Sequence, residues 1–259
     1  MGLDQVTNNR LAWLQASLYA PATRPGLTRS LETTALALAL LFTVVFVVLA
    51  VVRMFHPFEI SWAESAMLSM SLRRMHGEPM YVNPSLFDGA TCLYPPLFFD
   101  LAALIARALP IGPDHVSFLP MRLLSVTSCL MILLGVVWLL RREKGLSWKM
   151  AIALGAIFPA TYGRMDFWYD NARVDNLFLL FLFASTAILL EGRSLWSAVL
   201  AGALGGLATL TKQPALLLLG LAGFPTVFVK RQFARAGAFA LAFVGTVSLP
   251  QETVDRVIV

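Results

Sequence analysis

Charge is the scarcest commodity in this chain of 259 residues: 14% is Asp, Glu, Lys or Arg, against 58% apolar. A soluble domain carries nearer about a quarter charged residues. So little polar surface cannot coat a globule, and the excess apolar surface has to face lipid. Two cysteines, Cys92 in a polar loop and Cys129 inside an apolar run, cannot build a disulfide framework. His56, His76 and His115 are scattered through one loop without ligand spacing, and no H-x-x-x-H or C-x-x-C occurs, so neither a metal nor another cofactor is indicated. No Gly-rich phosphate loop follows a strand and no G-x-S-x-G is present, which leaves soluble nucleotide chemistry without a signature. The net charge of +5 is not gathered into a basic block interleaved with aromatics, so a nucleic-acid face is not expected either.

What is present is a series of long apolar runs. Leu31–Val52 is long enough, at about 1.5 Å per residue, to cross a ~30 Å hydrocarbon core, and reads as an uncleaved signal anchor behind a polar, proline-broken segment of residues 1–30. The "RLAWLQASLYA" stretch within that segment reads as a surface helix on the cytoplasmic side. Further runs cover Phe118–Leu140, Lys149–Gly163, Asp175–Leu190, Leu195–Leu210, Pro214–Val229 and Arg235–Pro250. Tyr94–Leu109 is shorter, opens on Tyr94-Pro95-Pro96 and contains Asp100 and Arg107, which suits an interfacial helix better than a span. The positive-inside rule agrees. If that segment does not cross, the clusters around Arg141–Lys149 and Lys230–Arg235 fall inside with Arg10, Arg24, Arg29 and Arg193, and most carboxylates fall outside. The expected fold is all-α: a polytopic bundle of seven transmembrane helices over residues 31–250, N-terminus cytoplasmic, with two interfacial helices in a first outer loop of residues 53–117.

Polar chemistry collects on the outer side. Ser61 and Glu64 have the S-x-x-E spacing of a capping box, and Leu68, Leu72 and Met75 follow Glu64 on one face of an amphipathic helix. On spacing alone Glu64 caps a helix, and Arg73 and Arg74 meet lipid headgroups. The second outer loop, "GRMDFWYDNARVDN", supplies Arg164, Asp166, Asp170, Arg173 and Asp175, and "TLTKQP" puts Lys212 and Gln213 at the outer break between two spans. Plain readings exist for these too: an Arg173–Asp175 salt bridge at the start of a span, a snorkelling Lys212, and an aromatic belt of Phe167, Trp168 and Tyr169. Against them, ionisable groups gathered at one mouth of a bundle tend to mark a site. A carboxylate beside several cations suits transfer from a lipid phosphate, because the cations hold the phosphate and the carboxylate takes the acceptor's proton.

The ordered set Trp62-Ala63-Glu64, Gly77-Glu78-Pro79-Met80-Tyr81, Tyr94-Pro95-Pro96-Leu97, "PMRLLS" from Pro120 to Ser125, "GRMD…ARVDN" and "LATLTKQPALLL" resembles the GT-C glycosyltransferases, which include the protein O-mannosyltransferases and the aminoarabinose transferase of lipid A. The match runs from about Leu31 to Gly220. The resemblance implies a polyprenyl-phosphate-linked sugar donor, a glycan, lipid or protein acceptor, inverting transfer and an extracytoplasmic active site. Glu64 falls on the family's acidic motif, while Ala63 stands where many members carry the Asp that acts as base, so the carboxylate falls to Glu64 or to Glu59. Tyr94 stands where some relatives have lysine, which leaves the phosphate to Arg73, Arg74, Arg173 and Lys212, with Tyr81, Tyr94 itself, Arg164, Asp166, Asp175 and Gln213 completing the expected substrate-binding set. Relatives continue into further spans and an outer C-terminal region, whereas only the tail of residues 251–259 follows here, so a truncated or minimal module is expected.

Two other functions compete. A non-catalytic protein of the same fold, binding lipid-linked sugar or scaffolding a partner, is motivated by Ala63 and the short tail. A secondary transporter would place its ionisable groups near the bilayer midplane and carry an internal repeat; the charges here sit at one mouth and no repeat is visible.

Overall fold

The computed structural model describes residues 25–81, 92–109, 117–224 and 231–248, and within them the chain is helical, without strands. The surface helix expected in "RLAWLQASLYA", the end of the Pro214–Val229 run and the tail of residues 251–259 lie outside the described residues.

Helix α1 covers Pro25–Met54. Proline is at home in its first position, where no intrahelical N–H is needed, and the helix stops just before His56-Pro57, because the residue ahead of a proline is pushed out of the helical region. Two short helices follow, α2 at Glu64–Met75 and α3 at Leu97–Ala108. The next long helix, α4, covers Leu119–Lys144 and ends on Gly145 in the left-handed region (φ 61°), with Arg141, Arg142 and Lys144 against its negative end. The remainder is α5 Trp148–Gly155, α6 Ile157–Ala160, two 3-10 turns at Tyr162–Met165 and Trp168–Asp170, α7 Asp175–Glu191, α8 Leu195–Thr211, α9 Ala215–Phe224 and α10 Phe233–Val247.

Among the described residues two helical stretches are long and apolar enough to cross a membrane, Arg29–Met54 and Leu119–Lys144, with α8 and α10 apolar but shorter. They are not the core helices of a globule. Only 17% of the most apolar window of the first is buried, and 28% of the second, and Leu38, Leu41, Val44, Val48 and Val52 of α1 stand exposed. The expected Lys149–Gly163 span is not one continuous helix. It breaks into α5, α6 and a 3-10 turn, because Pro159 cannot donate to the helical ladder. The Tyr94–Leu109 segment forms only the 12 residues of α3, about 18 Å at ~1.5 Å per residue and too short to span. It packs on α2, and Phe98, Phe99 and Ala102 are buried in a cluster with Leu68, Met70, Met121 and Leu177.

Beyond this cluster α7, α8 and α10 pack side by side. The α8–α10 approach is close enough to require glycine: a Cβ on Gly202 would lie 2.3 Å from the Phe239 carbonyl oxygen, and one on Gly206 would lie 2.6 Å from Thr246 Cβ. Gly202→Ala should therefore cost about 1–3 kcal/mol by overpacking. Gly237→Ala, with nothing within 4 Å, should be neutral or gain about 0.5–1 kcal/mol of helix propensity. Chemical unfolding of the detergent-solubilised variants checks the pair, and equal stability for both would refute the close packing.

Candidate functional site

The end of α1, the start of α2, the start of α4 and the turn before α7 meet around one buried ion pair. Glu64 and Arg122 are both fully buried. Arg122 Nε donates to Glu64 Oε1 at 3.0 Å and Nη2 donates to Oε2 at 2.7 Å. Nη1 donates to the carbonyls of Arg53 and His56, and Nη2 to that of Phe58. That employs the whole five-donor fork of a guanidinium, and the Phe118 ring lies 4.7 Å from its carbon. Glu64 is equally occupied, because the amides of Ile60 and Ala172 each donate to it at 2.7 Å. Burial alone would raise its pKa, but hydrogen bonds from Arg122, Ala172 and Ile60, with the guanidinium charge, outweigh that and hold it below the ordinary value.

The expected capping box does not form. The residue at the N-cap is Ala63, which has no side chain to cap with, and the Glu64 amide goes to the backbone carbonyl of Ser61. Glu64 does reach back, to the amide of Ile60 rather than that of Ser61, because Arg122 draws its carboxylate into the interior. A carboxylate sealed from solvent, carrying four donors and held below its normal pKa is not placed to receive an acceptor's proton. Glu59, by contrast, is exposed and accepts a hydrogen bond from the Ser65 hydroxyl.

A second, more open group of side chains lies at the same end. Asp175 accepts from Lys212 Nζ at 2.6 Å and from Arg173 Nε at 3.0 Å. The Arg173 guanidinium lies 3.9 Å from the Trp168 ring centre, and its Nη1 is buried without a partner. Lys212 Nζ lies 5.8 Å from the Tyr94 ring centre. The Tyr94 loop is pinned in turn: the Tyr81 hydroxyl donates to the Tyr94 carbonyl at 2.9 Å, and Gln213 Nε2 donates to the Leu93 carbonyl at 3.0 Å. Burial first, then the nearby Cys92 and Asp100, push the Tyr81 phenol up to about 12, so it is a proton donor at neutral pH. Arg74 pairs with Asp100 at 2.6 Å, and Arg73 donates to the Pro79 carbonyl. Contacts thus run from Tyr81 through the backbone and ring of Tyr94 to Lys212, Asp175 and Arg173. Two cations share one carboxylate at the far end.

Arg164 and Asp166 are not connected to this string by any contact among the described residues. Both are exposed, and Asp166 takes the left-handed conformation (φ 48°) that closes the first 3-10 turn. The neighbouring Asp170 is buried and accepts from Arg53 Nε at 2.6 Å, while Arg53 Nη2 reaches Asn171; burial pushes the Asp170 carboxyl up. Arg122 and Arg53 are the functional-end residues that spacing alone does not nominate. An arginine inside the apolar run "PMRLLS" was the available signal for Arg122, since such a charge needs a buried partner. Among the described residues no group of acidic, histidine or cysteine side chains is arranged to hold a metal ion.

Removing either partner of the buried pair strands the other charge, so Glu64→Gln and Arg122→Gln should each cost about 3–5 kcal/mol, the double variant costing less than the sum. Because Glu64 titrates lower when folded, its contribution is complete above the ordinary carboxylate value of 4.5 and is lost as pH falls through its folded-state value. The difference in unfolding midpoint between wild type and Glu64→Gln should accordingly shrink as the pH is lowered below 4.5. A gap that widens in acid would contradict the pairing. Compared with known proteins, the chain matches no family model, no curated protein and no solved structure.

Proposed function

We propose that this chain is a multi-pass membrane glycosyltransferase of GT-C type. It would cross the bilayer seven times with its N-terminus in the cytoplasm, and move a sugar from a polyprenyl-phosphate donor to an extracytoplasmic acceptor. The observation that carries this reading is the meeting of Tyr94 with Lys212, and of Lys212 with Asp175 and Arg173, at one end of the bundle, Tyr94 and Lys212 being more than a hundred residues apart. Lys212 and Arg173 outnumber the carboxylate between them, and Arg173 keeps a buried donor unused. That is the arrangement a transferring phosphate ester requires. In the reaction an acceptor hydroxyl attacks the anomeric carbon, its proton passes to a carboxylate, and the bond to the phosphate oxygen breaks, inverting the sugar. The polyprenyl phosphate leaves with its new charge held by Lys212 and Arg173. Its exposure favours Glu59 over the buried Glu64 as the group that takes the proton.

One observation favours the non-catalytic alternative: the acid of the family-like motif is sealed in the frame, and its neighbour is an alanine that is itself buried. A single assay separates the two. Purified chain, given labelled polyprenyl-phosphate sugars, should release or transfer sugar. Lys212→Met should lower the rate by about a hundredfold or more, and Glu59→Gln should abolish it while leaving unfolding unchanged. Saturable donor binding without turnover would establish the binding module instead. Full activity in Glu59→Gln would remove that residue from the proton's path.

A further inference from the structure

A second cavity lies away from the Lys212 group. It is a groove of about 480 Å³ between α1 and the 159–167 turn, walled by Phe42, Val45, Phe46 and Leu49 on one side and by Phe167 and Arg164 on the other. Its volume is within the ~300–1,000 Å³ of small-ligand sites. Phe42 and Val45 are each 44% exposed and belong to the bare apolar face of α1, so the groove opens where hydrocarbon, not water, would lie against the helix.

Its length and charge specify an occupant. Arg53 marks the polar end of α1, and Phe42 lies about 16 Å below it along the axis at ~1.5 Å per residue, close to half of a ~30 Å hydrocarbon core and therefore the depth of one leaflet. At the mouth, Arg164 is exposed and has no ion pair or side-chain hydrogen bond among the described residues. The other charges nearby are spoken for or turned away. Arg53 stacks over Phe167 at 5.3 Å and is neutralised by Asp170, and Asp166 sits on the exposed corner of the turn without a bond to Arg164. The lining runs over two turns of α1, from Phe42 to Leu49 and about 10 Å long, down to the depth of one leaflet below Arg53, and with an unpaired guanidinium in its wall it suits a hydrocarbon chain carrying an anionic phosphate.

We infer that this groove is a lipid site, separate from the transfer site, that seats one acyl chain of an anionic phospholipid with its phosphate on Arg164. The inference rests on the reading of the chain as an integral membrane protein, and on nothing else in the proposed activity. A lipid there would wedge α1 against the turn that carries Trp168, Asp170 and, beyond them, Arg173.

The test uses the full chain, purified in detergent, incubated with equimolar phosphatidylglycerol and phosphatidylcholine, and analysed for retained lipid by native mass spectrometry. Wild type should keep one phosphatidylglycerol per chain with about a tenfold preference, because both lipids carry the phosphate but only phosphatidylcholine sets a cation against Arg164. Arg164→Gln should bring the preference to parity. Val45→Trp, or Leu49→Trp at a second half-exposed wall position, should displace both lipids while unfolding like wild type. Retained preference in Arg164→Gln, or retained lipid in both tryptophan variants, would overturn the site. Displacement of phosphatidylglycerol by an equimolar polyprenyl phosphate would overturn the occupant and hand the groove to the donor. Extraction of the chain from membranes by alkaline carbonate would instead defeat the membrane reading underneath, a result distinguishable from either.

Discussion

Everything at the polar end of this bundle hangs on one guanidinium. Arg122 enters from α4 and meets three backbone carbonyls from the chain leaving α1 and both oxygens of Glu64 at the start of α2. Glu64 in turn holds the amide of Ala172, over a hundred residues away. Four segments are thus fixed by charge-assisted hydrogen bonds sealed from solvent, between the apolar clusters that the same segments build. Such a pair adds little net stability over an apolar replacement, because desolvating both ions cancels most of their attraction. What it supplies is uniqueness. Any other register of these segments would leave a buried charge or a buried backbone group unpaired, and each costs far more than a misplaced methyl.

The frame reaches the open site through adjacent residues. Ala172 is followed by Arg173, whose carbonyl is held by the Ser125 hydroxyl one turn of α4 beyond Arg122. Two α4 side chains therefore fix the backbone from which Arg173 projects, and Arg173 and Asp175 are then placed to meet Lys212 at the end of α8. From the other direction Gln213 ties the end of α8 to Leu93, and Tyr81 ties the Gly77–Tyr81 turn to Tyr94. Acidic residues are thereby divided by burial: Glu64 belongs to the frame, while Asp175 and Glu59 remain within reach of solvent.

The helical class, the long apolar helices α1 and α4, and the shortness of α3 were legible in the sequence, because each rests on local apolar run length and on prolines at the boundaries. Charge distribution grouped the loops that carry Glu64, Asp175 and Lys212, and Ala172 and Arg173 join their contacts. What spacing could not reveal was the partner of each charge. Ser61 and Glu64 satisfy the S-x-x-E pattern, yet the pattern scores only local competitors, and a buried arginine from another helix outbids an amide three residues away. Arg164 and Asp166 share a loop with Arg173 and Asp175 in the sequence, but the left-handed residues Asp166 and Phe167 turn the chain between them, so loop membership did not translate into one site. The Lys149–Gly163 run failed as a continuous helix at Pro159, where hydropathy carries no information about the hydrogen-bond ladder.

Frame and site can be told apart by their unused bonding capacity. Around Arg122 and Glu64 every guanidinium donor is employed and the carboxylate accepts four bonds, so the cluster has nothing left to offer a ligand. Around Asp175 the balance is different: two cations draw on one carboxylate, and the Arg173 Nη1 donor is shut away from water without an acceptor. A buried donor left in that condition costs about 1–3 kcal/mol, a cost that an incoming anion would remove on binding. The same bookkeeping sets Arg164 apart at the mouth of the α1 groove, where the cation is exposed and solvated and would give up only water to a phosphate. The saturated pair holds the architecture still, and the unsaturated cations beside it are the groups with bonds to give.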